Sequence, residues 1–263
     1  RGAAPDIVLV HGDTSSSFVA ALAAFYMQIP VGHVEAGLRT YSRYSPFPEE
    51  MNRTLTGHIA TLHFAPTEGN RENLQNEGVR ENVFVTGNTV IDAFLTTLRD
   101  DYVFHDPGLA ALSFEGRRTS LLTAHRRENL GQPMENIFTA IRRLHDDFPD
   151  VQFIYPVHLN PKVQQPARRI LGGLDRVLLT APLDVTDMHN LMAHSTLVMT
   201  DSGGLQEEAP YCGVPVLVLR TETERPEAVQ AGTVLVAGVE TENIYRQAAT
   251  LLTDPAAYAR MAE

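Results

Sequence analysis

The sequence predicts an α/β protein made of two doubly wound, Rossmann-like domains of parallel strands. Short apolar runs alternate with amphipathic segments of helical periodicity along the chain, as in parallel sheets covered by helices. The stretch 100–118 lacks this alternation and contains Asp106-Pro107-Gly108. At 263 residues the chain is long enough for two such domains. We therefore predict a first domain at 1–99, a linker at 100–118 and a second domain at 119–263.

The periodicity predicts where the individual elements lie. The apolar runs predicted as strands are Ile7–Val10, Val31–Val34, Leu62–Ala65, Val83–Thr86, Ser120–Thr123, Gln152–Tyr155, Val177–Leu179, Leu197–Thr200, Val216–Leu219 and Val234–Val236. The amphipathic segments predicted as helices include Ser17–Met27, Glu49–Ile59, Val90–Leu98, Met134–Phe148, Thr186–Ala193 and Glu242–Leu252. Ligands of such sheets bind beyond the carboxyl ends of the strands, so the residues after each strand are the candidates for a site.

Composition and charge exclude several classes of protein. With 32 acidic and 21 basic residues the net charge is −11, which argues against a general nucleic-acid binder. Cys212 is the single cysteine, so no intrachain disulfide forms, and we expect a reducing, cytoplasmic compartment. No apolar run approaches the roughly 18 residues of a membrane span. The chain does not begin with Met and stops in a segment of helical pattern, so we expect a fragment of a longer protein.

The residues after the strand Leu197–Thr200 predict a binding site for a nucleotide-sugar. Ser202, Gly203 and Gly204 turn the backbone into a helix whose free N–H groups suit an anion. Glu208, one turn into this helix, is placed to accept hydrogen bonds from sugar hydroxyls. The alternative is an ordinary strand-to-helix turn in which the acidic residues favour the helix dipole.

Acidic side chains follow the first two strands and open a later helix. Asp13 and Glu35 would lie in one crevice if these strands are neighbours, about 4.8 Å apart. Paired carboxylates can divide the roles of acid and base between them. Alternatively, Asp13 caps the helix near Ser15 and Glu35 is a solvated loop residue. Glu49 follows two prolines and starts a helix, where it either joins the site or favours the dipole and pairs with Arg53.

Basic side chains follow the strands of the second predicted domain. His125, Arg126 and Arg127 come directly after Ser120–Thr123, and this composition suits a diphosphate. A solvated basic loop is the alternative. His158 follows the next strand, where a single histidine is more often structural. The motifs GxGxxG, GxxxxGK[ST], CxxC and HExxH are absent, so dinucleotide, ATP and zinc sites lack their usual support, and we predict no cofactor.

Taken together, these runs resemble the non-hydrolysing UDP-N-acetylglucosamine 2-epimerases. The runs occur in the family's order and cover nearly the whole chain. They are 11–14 (HGDT), 32–39 (GHVEAGLR), 48–50 (PEE), 52–55 (NRTL), 86–92 (TGNTVID), 125–128 (HRRE), 155–158 (YPVH), 200–210 (TDSGGLQEEAP) and 223–227 (TERPE).

The resemblance implies a GT-B architecture with an active site in the cleft between the domains. It implies reversible conversion of UDP-GlcNAc to UDP-ManNAc, by elimination and re-addition of UDP through a 2-acetamidoglucal, without metal or nicotinamide. The roles that it implies are catalytic for Asp13, Glu35, Glu49 and His125, substrate-binding for Ser202, Gly203, Gly204, Glu208, Arg225 and Met188, and allosteric for Arg126 and His158. It also implies a homodimer and activation by a second UDP-GlcNAc.

The sequence departs from the family in three places. The family's first strand with a Gly-Thr-Arg-Pro-Glu turn, and its last helix, have no counterpart here, and Met188 stands near the uracil site where several members carry an aromatic. Three alternative functions therefore stay open. They are a hydrolysing epimerase that releases ManNAc and UDP, a GT-B glycosyltransferase that uses a UDP-sugar, and an inactive UDP-sugar sensor.

Overall fold

The structure is a computed structural model that describes residues 4–223 and 225–262, except for the side chain of Glu227. The chain forms two compact units, Arg1–Thr89 and Val90–Glu263. Each unit contains one sheet of parallel strands with helices packed against it, which confirms the predicted fold class. Among the described residues, no helix is long and apolar enough to cross a membrane.

The strands agree closely with the apolar runs of the sequence. They are β1 (Val8–His11), β2 (Val31–Val34), β3 (Leu62–Ala65), β4 (Val83–Val85), β5 (Arg118–Thr123), β6 (Val151–Pro156), β7 (Val177–Thr180), β8 (Leu197–Thr200), β9 (Val216–Val218) and β10 (Val234–Val236). The predicted limits of β2, β3, β8 and β10 coincide with the observed limits.

The helices include several that were not among the predicted segments. They are α1 (Ser15–Tyr26), α2 (Glu49–Ile59), α3 (Glu68–Asn76), α4 (Thr89–Thr97), α5 (Pro107–Ala110), α6 (Gln132–Asp147), α7 (Pro161–Leu171), α8 (Val185–Ala193), α9 (Leu205–Tyr211), α10 (Pro226–Gln230), α11 (Thr241–Thr253) and α12 (Pro255–Met261). A 3₁₀ turn spans Arg127–Asn129. Helix α3 was missed because it is polar along its length: it buries only Asn70 and Leu74, and a capping box at Thr67 defines its start.

The sheet of the first unit has the strand order β1-β2-β3-β4, and all of its strands are parallel. Val10 and Val31 pack against Ala21 and Ala24 of α1 to form the buried core of this sheet. The register pairs His11 with Val34. The loops that carry Asp13 and Glu35 therefore begin side by side at the same edge of the sheet, as the sequence predicted.

The sheet of the second unit has the order β10-β9-β8-β5-β6-β7, again with parallel strands. Helices α6, α7 and α11 bury their apolar residues on one face, and α4, α8 and α9 bury theirs on the other. The sheet is therefore doubly wound. The strand order reverses between β5 and β8, and the loops after these two strands lie at this switch point, where ligands of such sheets bind.

The predicted linker 100–118 packs on the second unit. Phe104 and Leu109 are buried in its core, and the hydroxyl of Tyr102 donates to Asp187 at 2.7 Å. The boundary between the units accordingly falls after Thr89 rather than within 100–118. Most of the backbone of this segment is irregular, so its buried aromatic residues are not regularly spaced in the sequence. The segment therefore lacks apolar periodicity although it is part of the core.

Candidate functional site

The first cluster of candidate residues lies at the ends of β1 and β2. Arg53 of α2 is 3% exposed, and its Nη2 lies 2.5 Å from Asp13 Oδ2. Asn52, the preceding residue, donates from Nδ2 to the Asp13 carbonyl at 2.9 Å. Asp13 does not cap α1, because the N-cap is Thr14, whose hydroxyl accepts from Ser17 N. Helix α2 therefore fixes both the backbone and the side chain of Asp13.

Glu35 lies against the turn that precedes Asp13. Its Oε2 would be only 3.1 Å from a Cβ added at Gly12, and it lies 3.9 Å from His11 Nε2. Gly12 has φ +69° and Glu35 has φ +66°, so both adopt the left-handed conformation that is costly for a residue with a side chain. This close approach brings the Glu35 carboxylate next to the residue before Asp13, as expected for a shared crevice.

His33 forms a hydrogen bond with the turn that contains Gly12. It is fully buried, and its Nε2 lies 2.9 Å from the carbonyl oxygen of Gly12. Because a carbonyl only accepts, Nε2 carries the proton and donates it. Burial lowers the pKa of His33 to about 4, so the imidazole is neutral at pH 7. His33 was not predicted as a site residue, although it lies on β2 two residues before Glu35, which follows the strand.

The two adjacent glutamates of α2 differ in their surroundings. Glu50 is buried, accepts from the backbone N–H groups of Thr40 and Tyr41, and lies 3.4 Å from Arg53 Nη1. Glu49 is half-buried at the first position of the helix. The ion pair that the sequence suggested for this segment is therefore made by Glu50, and Glu49 is the more accessible of the two carboxylates.

The second cluster lies at the switch point of the larger sheet. Asp201 follows β8 and is fully buried. Its Oδ2 accepts from the backbone N–H groups of His125 and Arg126 at 2.8 Å each, and from Asn129 Nδ2 at 3.0 Å. A single buried carboxylate thus holds the loop after β5 in place. Asp201 was not among the predicted site residues, although its position directly after a buried strand was a usable signal.

His125 faces two further basic residues. Its ring stacks on that of His158, with 5.6 Å between the ring centroids, and Arg126 donates from Nε to the Asp201 carbonyl at 3.2 Å. Burial lowers the pKa of His125, Arg126 and His158 lower it further, and Asp201 raises it. Burial and the neighbouring cations therefore favour the neutral imidazole, against the carboxylate of Asp201. The structure places Arg126 and His158, which the resemblance linked to allosteric control, beside His125.

The turn after Asp201 lies in close contact with the side chain of Glu208. Thr200 Oγ1 accepts from Ser202 N at 2.9 Å, which fixes the start of the turn. A Cβ added at Gly204 would lie 2.9 Å from Glu208 Oε1, so a larger residue there would require this carboxylate to shift. Beneath the turn, the buried Arg225 donates from Nε to the carbonyl of Gly203 at 2.9 Å and pairs with Glu207. The structure does not describe Glu224, which belongs to the same sequence motif.

The surroundings of Glu208 on balance favour its neutral form. Burial and the neighbouring Glu207 raise its pKa to about 7, against the opposing charge of Arg225. His189 Nε2 lies 3.6 Å from Glu208 Oε2, and its ring stacks on Phe94. Met188, the adjacent residue, is half-buried and packs against the core of the unit.

One group of side chains has the composition of a metal site. Among the described residues, His105, Asp184 and Asp187 bring three ligand atoms within 4.8 Å of one another. Both carboxylate oxygens of Asp187, however, already accept hydrogen bonds, from Tyr102 Oη, His105 N and Asp106 N. These side chains therefore connect the segment 102–106 to α8 through hydrogen bonds.

Comparison with known proteins identifies the family. The family model for UDP-N-acetylglucosamine 2-epimerase matches residues 2–263. A putative UDP-N-acetylglucosamine 2-epimerase of Thermotoga maritima is 59% identical over 259 residues, which are 98% of this chain and 68% of that protein. The UDP-N-acetylglucosamine 2-epimerase of Bacillus subtilis is 58% identical over 260 residues, 98% of this chain and 67% of that protein. The chain belongs to the UDP-N-acetylglucosamine 2-epimerase family.

Solved structures agree with this assignment. The co-structure of Staphylococcus aureus MnaA with UDP has a TM-score of 0.94 and 53% identity, covering 98% of this chain and 70% of that one. The Neisseria meningitidis UDP-GlcNAc 2-epimerase, bound to UDP-GlcNAc, has a TM-score of 0.94 and 47% identity, covering 98% of this chain and 71% of that one. These GT-B-like relatives are similar in fold to the two doubly wound units of this chain.

Proposed function

We propose that this chain carries out the reversible epimerisation of UDP-GlcNAc to UDP-ManNAc, without net hydrolysis and without a metal or nicotinamide. The observation that supports this most directly is the pairing of Asp13 and Glu35 at adjoining strand ends, with Gly12 between them. Inverting C2 requires a proton to leave one face of the sugar and another to arrive on the opposite face. Two separate carboxylates meet that requirement, whereas one does not easily reach both faces.

The second unit supplies the nucleotide half of the proposal. The loops after β5 and β8 meet at the switch point of the sheet, where doubly wound folds bind their ligands. We assign the diphosphate to the turn Ser202–Gly204 and to His125, and the ribose hydroxyls to Glu208. Met188 packs near the base, and Arg225 holds the turn. Relatives solved with UDP or UDP-GlcNAc support this choice of ligand.

The proposed reaction has two balanced steps. In the first, a carboxylate removes the proton at C2, the C1–C2 double bond forms, and the C1–O bond breaks with its electron pair leaving on UDP. This gives a 2-acetamidoglucal and UDP. In the second, UDP adds back at C1 while a proton is delivered to the other face of C2. Asp13, Glu35 and Glu49 are the groups that we assign to these proton transfers, each worth about 10²–10⁴ in rate.

Incubating the chain with UDP-GlcNAc in D₂O tests the proposal. We expect UDP-ManNAc that carries deuterium at C2, detected by NMR and mass spectrometry. Glu35→Gln should lower the rate by about 10²–10⁴ and leave UDP binding to the second unit intact. Glu68→Gln is the matched control, because Glu68 is an exposed glutamate of the same unit, and its rate should be unchanged.

The products also separate the competing functions. Free ManNAc and UDP would identify a hydrolysing enzyme, and transfer to an added sugar acceptor would identify a glycosyltransferase. UDP binding with no turnover would identify a sensor. Epimerised product without solvent deuterium would contradict the carboxylate mechanism, as would full activity of Glu35→Gln and Asp13→Asn.

A further inference from the structure

Arg53 is a buried arginine that lies between two carboxylates. Its Nη2 donates to Asp13 Oδ2 at 2.5 Å, and its Nη1 lies 3.4 Å from Glu50 Oε2. The side chains of Arg53 and Glu50 are 3% and 5% exposed, and that of Asp13 is 22% exposed. A charge away from water is costly unless it is paired, so the two carboxylates keep the guanidinium in place. The guanidinium in turn holds one oxygen of Asp13.

The two oxygens of the Asp13 carboxylate differ in their surroundings. Oδ2 accepts from Arg53, whereas Oδ1 is open to solvent and accepts no hydrogen bond from the described residues. A guanidinium only donates, so the oxygen that it contacts must stay an acceptor. A proton that binds to Asp13 is therefore placed on Oδ1.

We propose that Arg53 is a positioning residue: it fixes Oδ2 of Asp13 and so makes Oδ1 the oxygen that exchanges the C2 proton of the sugar. In one direction, Oδ1 takes the proton from C2 while the C1–O bond breaks and its electron pair leaves on UDP. When the step runs backwards, the protonated Oδ1 returns the proton to C2 as UDP adds at C1. This inference rests on the proposed function for the proton that is moved, but not for the contact between Arg53 and Asp13.

Two further residues of α2 restrict Asp13 and its partner. Asn52 donates from Nδ2 to the Asp13 carbonyl at 2.9 Å. Glu50 keeps Arg53 paired with a carboxylate when Asp13 takes a proton and loses its charge. Because these contacts come from one helix, the orientation of the Asp13 carboxylate does not depend on a bound ligand. A misplacement of about 1 Å in a reacting group can cost about 100-fold in rate, so loss of this contact should be visible in kcat.

The substitution Arg53→Lys tests the role of the guanidinium. Lysine keeps the charge but replaces the planar fork by a single nitrogen, so the Asp13 carboxylate loses its fixed orientation. We expect kcat to fall about 100-fold while KM changes by less than about threefold. The variant should turn over UDP-GlcNAc deuterated at C2 more slowly than the unlabelled substrate, because proton transfer then limits the rate.

Arg39→Lys is the matched control, measured like Arg53→Lys below its melting temperature. Arg39 is also buried, and it donates from Nε and Nη2 to the carboxylate of Glu77 in the same unit. The substitution therefore removes a guanidinium from a buried ion pair that does not include Asp13. Its kcat should be unchanged.

NMR spectra of the ¹⁵N-arginine-labelled chain test the contact without turnover. We expect the two Nη2 protons of Arg53 to give separate signals, because a guanidinium held by a carboxylate rotates slowly. In Asp13→Ala these signals should merge. Merged signals in the wild-type chain, or signals that stay separate in Asp13→Ala, would overturn the proposal, and these spectra decide even if Arg53→Lys does not fold.

The kinetic outcomes separate a positioning role from a structural one. Equal rates of Arg53→Lys with the deuterated and unlabelled substrates would overturn the proposal, because the slowed step would not be proton transfer. Equal losses of kcat in Arg53→Lys and Arg39→Lys would overturn it as well. Separate Nη2 signals in a chain that forms no UDP-ManNAc would contradict the proposed function and leave Arg53 assigned as the residue that holds Asp13.

Discussion

His33 shows how burial of one ionisable side chain links the first cluster to pH. Its pKa is lowered to about 4 in the folded protein, against 6.5 for an unperturbed histidine. Between these values the unfolded chain binds a proton that the folded chain does not, so stability falls as the pH falls. We expect the free energy of unfolding to decrease by about 2 kcal/mol between pH 7 and pH 5 because of this residue.

Urea unfolding at the two pH values measures this effect. His33→Gln should remove about 2 kcal/mol of the pH dependence, because an amide still donates to the Gly12 carbonyl but does not titrate. His58→Gln is the control, since His58 is exposed on α2 and should leave the pH dependence nearly unchanged. Equal pH slopes for His33→Gln and the wild-type chain would contradict the assignment of His33 as a buried neutral donor.

Glu208 predicts that nucleotide binding, like the stability that depends on His33, strengthens as the pH rises. Its pKa of about 7 means that the carboxylate, the better acceptor for ribose hydroxyls, becomes populated as the pH rises. UDP affinity should therefore rise about tenfold between pH 6 and pH 8 through this group. Calorimetry should show that Glu208→Gln flattens this rise and that Glu208→Ala weakens binding by about 1.5–3 kcal/mol at pH 8. Glu242→Gln, an exposed glutamate of the same unit, should behave as wild type.

At the scale of elements, substitutions in the turn after β1 can test whether the backbone conformation of this turn positions Glu35. Gly12 and Gly78 both have positive φ, +69° and +90°, so alanine at either position should cost about 1–2 kcal/mol of stability. Only at Gly12 would the new Cβ approach a site residue, Glu35, because nothing lies within 4 Å at Gly78. We expect Gly12→Ala to lose epimerase activity at least tenfold and Gly78→Ala to keep it. Equal activities of the two variants, measured below their melting temperatures, would show that the turn does not position Glu35.

The secondary-structure elements also show how far the structure can be predicted from the sequence. Buried strands such as β8 were predicted with correct limits because the run is apolar up to its last residue, Thr200, and a polar turn follows. Helices α3 and α7 were not predicted, since α3 is polar throughout and α7 contains Pro166 in its interior. The segment 100–118 packs on the second unit through single aromatic residues, and such contacts leave no period in the sequence.

The candidate site was predicted to a similar extent. The residues after the strand ends were found because parallel strands place them at one edge of the sheet. The supporting residues were not found, because their roles depend on partners distant in sequence: Arg53 contacts Asp13, and Asp201 contacts His125. In the sequence alone, a charged residue next to a strand end gives only a weak indication that it supports a site residue elsewhere in the chain. The roles of Asp13, Glu35 and Glu49 stay predictions that the proposed experiments decide.

At the scale of the whole molecule, the two units bury very different amounts of apolar surface. The first unit has a small core at Val10, Ala21, Ala24 and Val31, and it exposes Leu9 and Phe25, whereas the second has extensive cores on both faces of its sheet. Amide protons exchange slowest where local opening requires the loss of most buried contacts. We therefore expect β5, β6 and β8 to exchange more slowly than β1–β4 in hydrogen-exchange mass spectrometry.

Adding UDP to the same exchange experiment locates the nucleotide. If the second unit holds UDP, protection should increase in 123–129 and 200–206, the loops that the buried Asp201 already ties together. Binding to the folded state alone stabilises it by RT ln(1 + [L]/Kd), so UDP at about 100 times its Kd should slow exchange in these loops by up to about 100-fold. Glu208→Ala should shift the midpoint of this protection to higher UDP concentration. Protection confined to Arg1–Thr89 would place the nucleotide on the other unit and overturn the assignment of the switch point as its binding site.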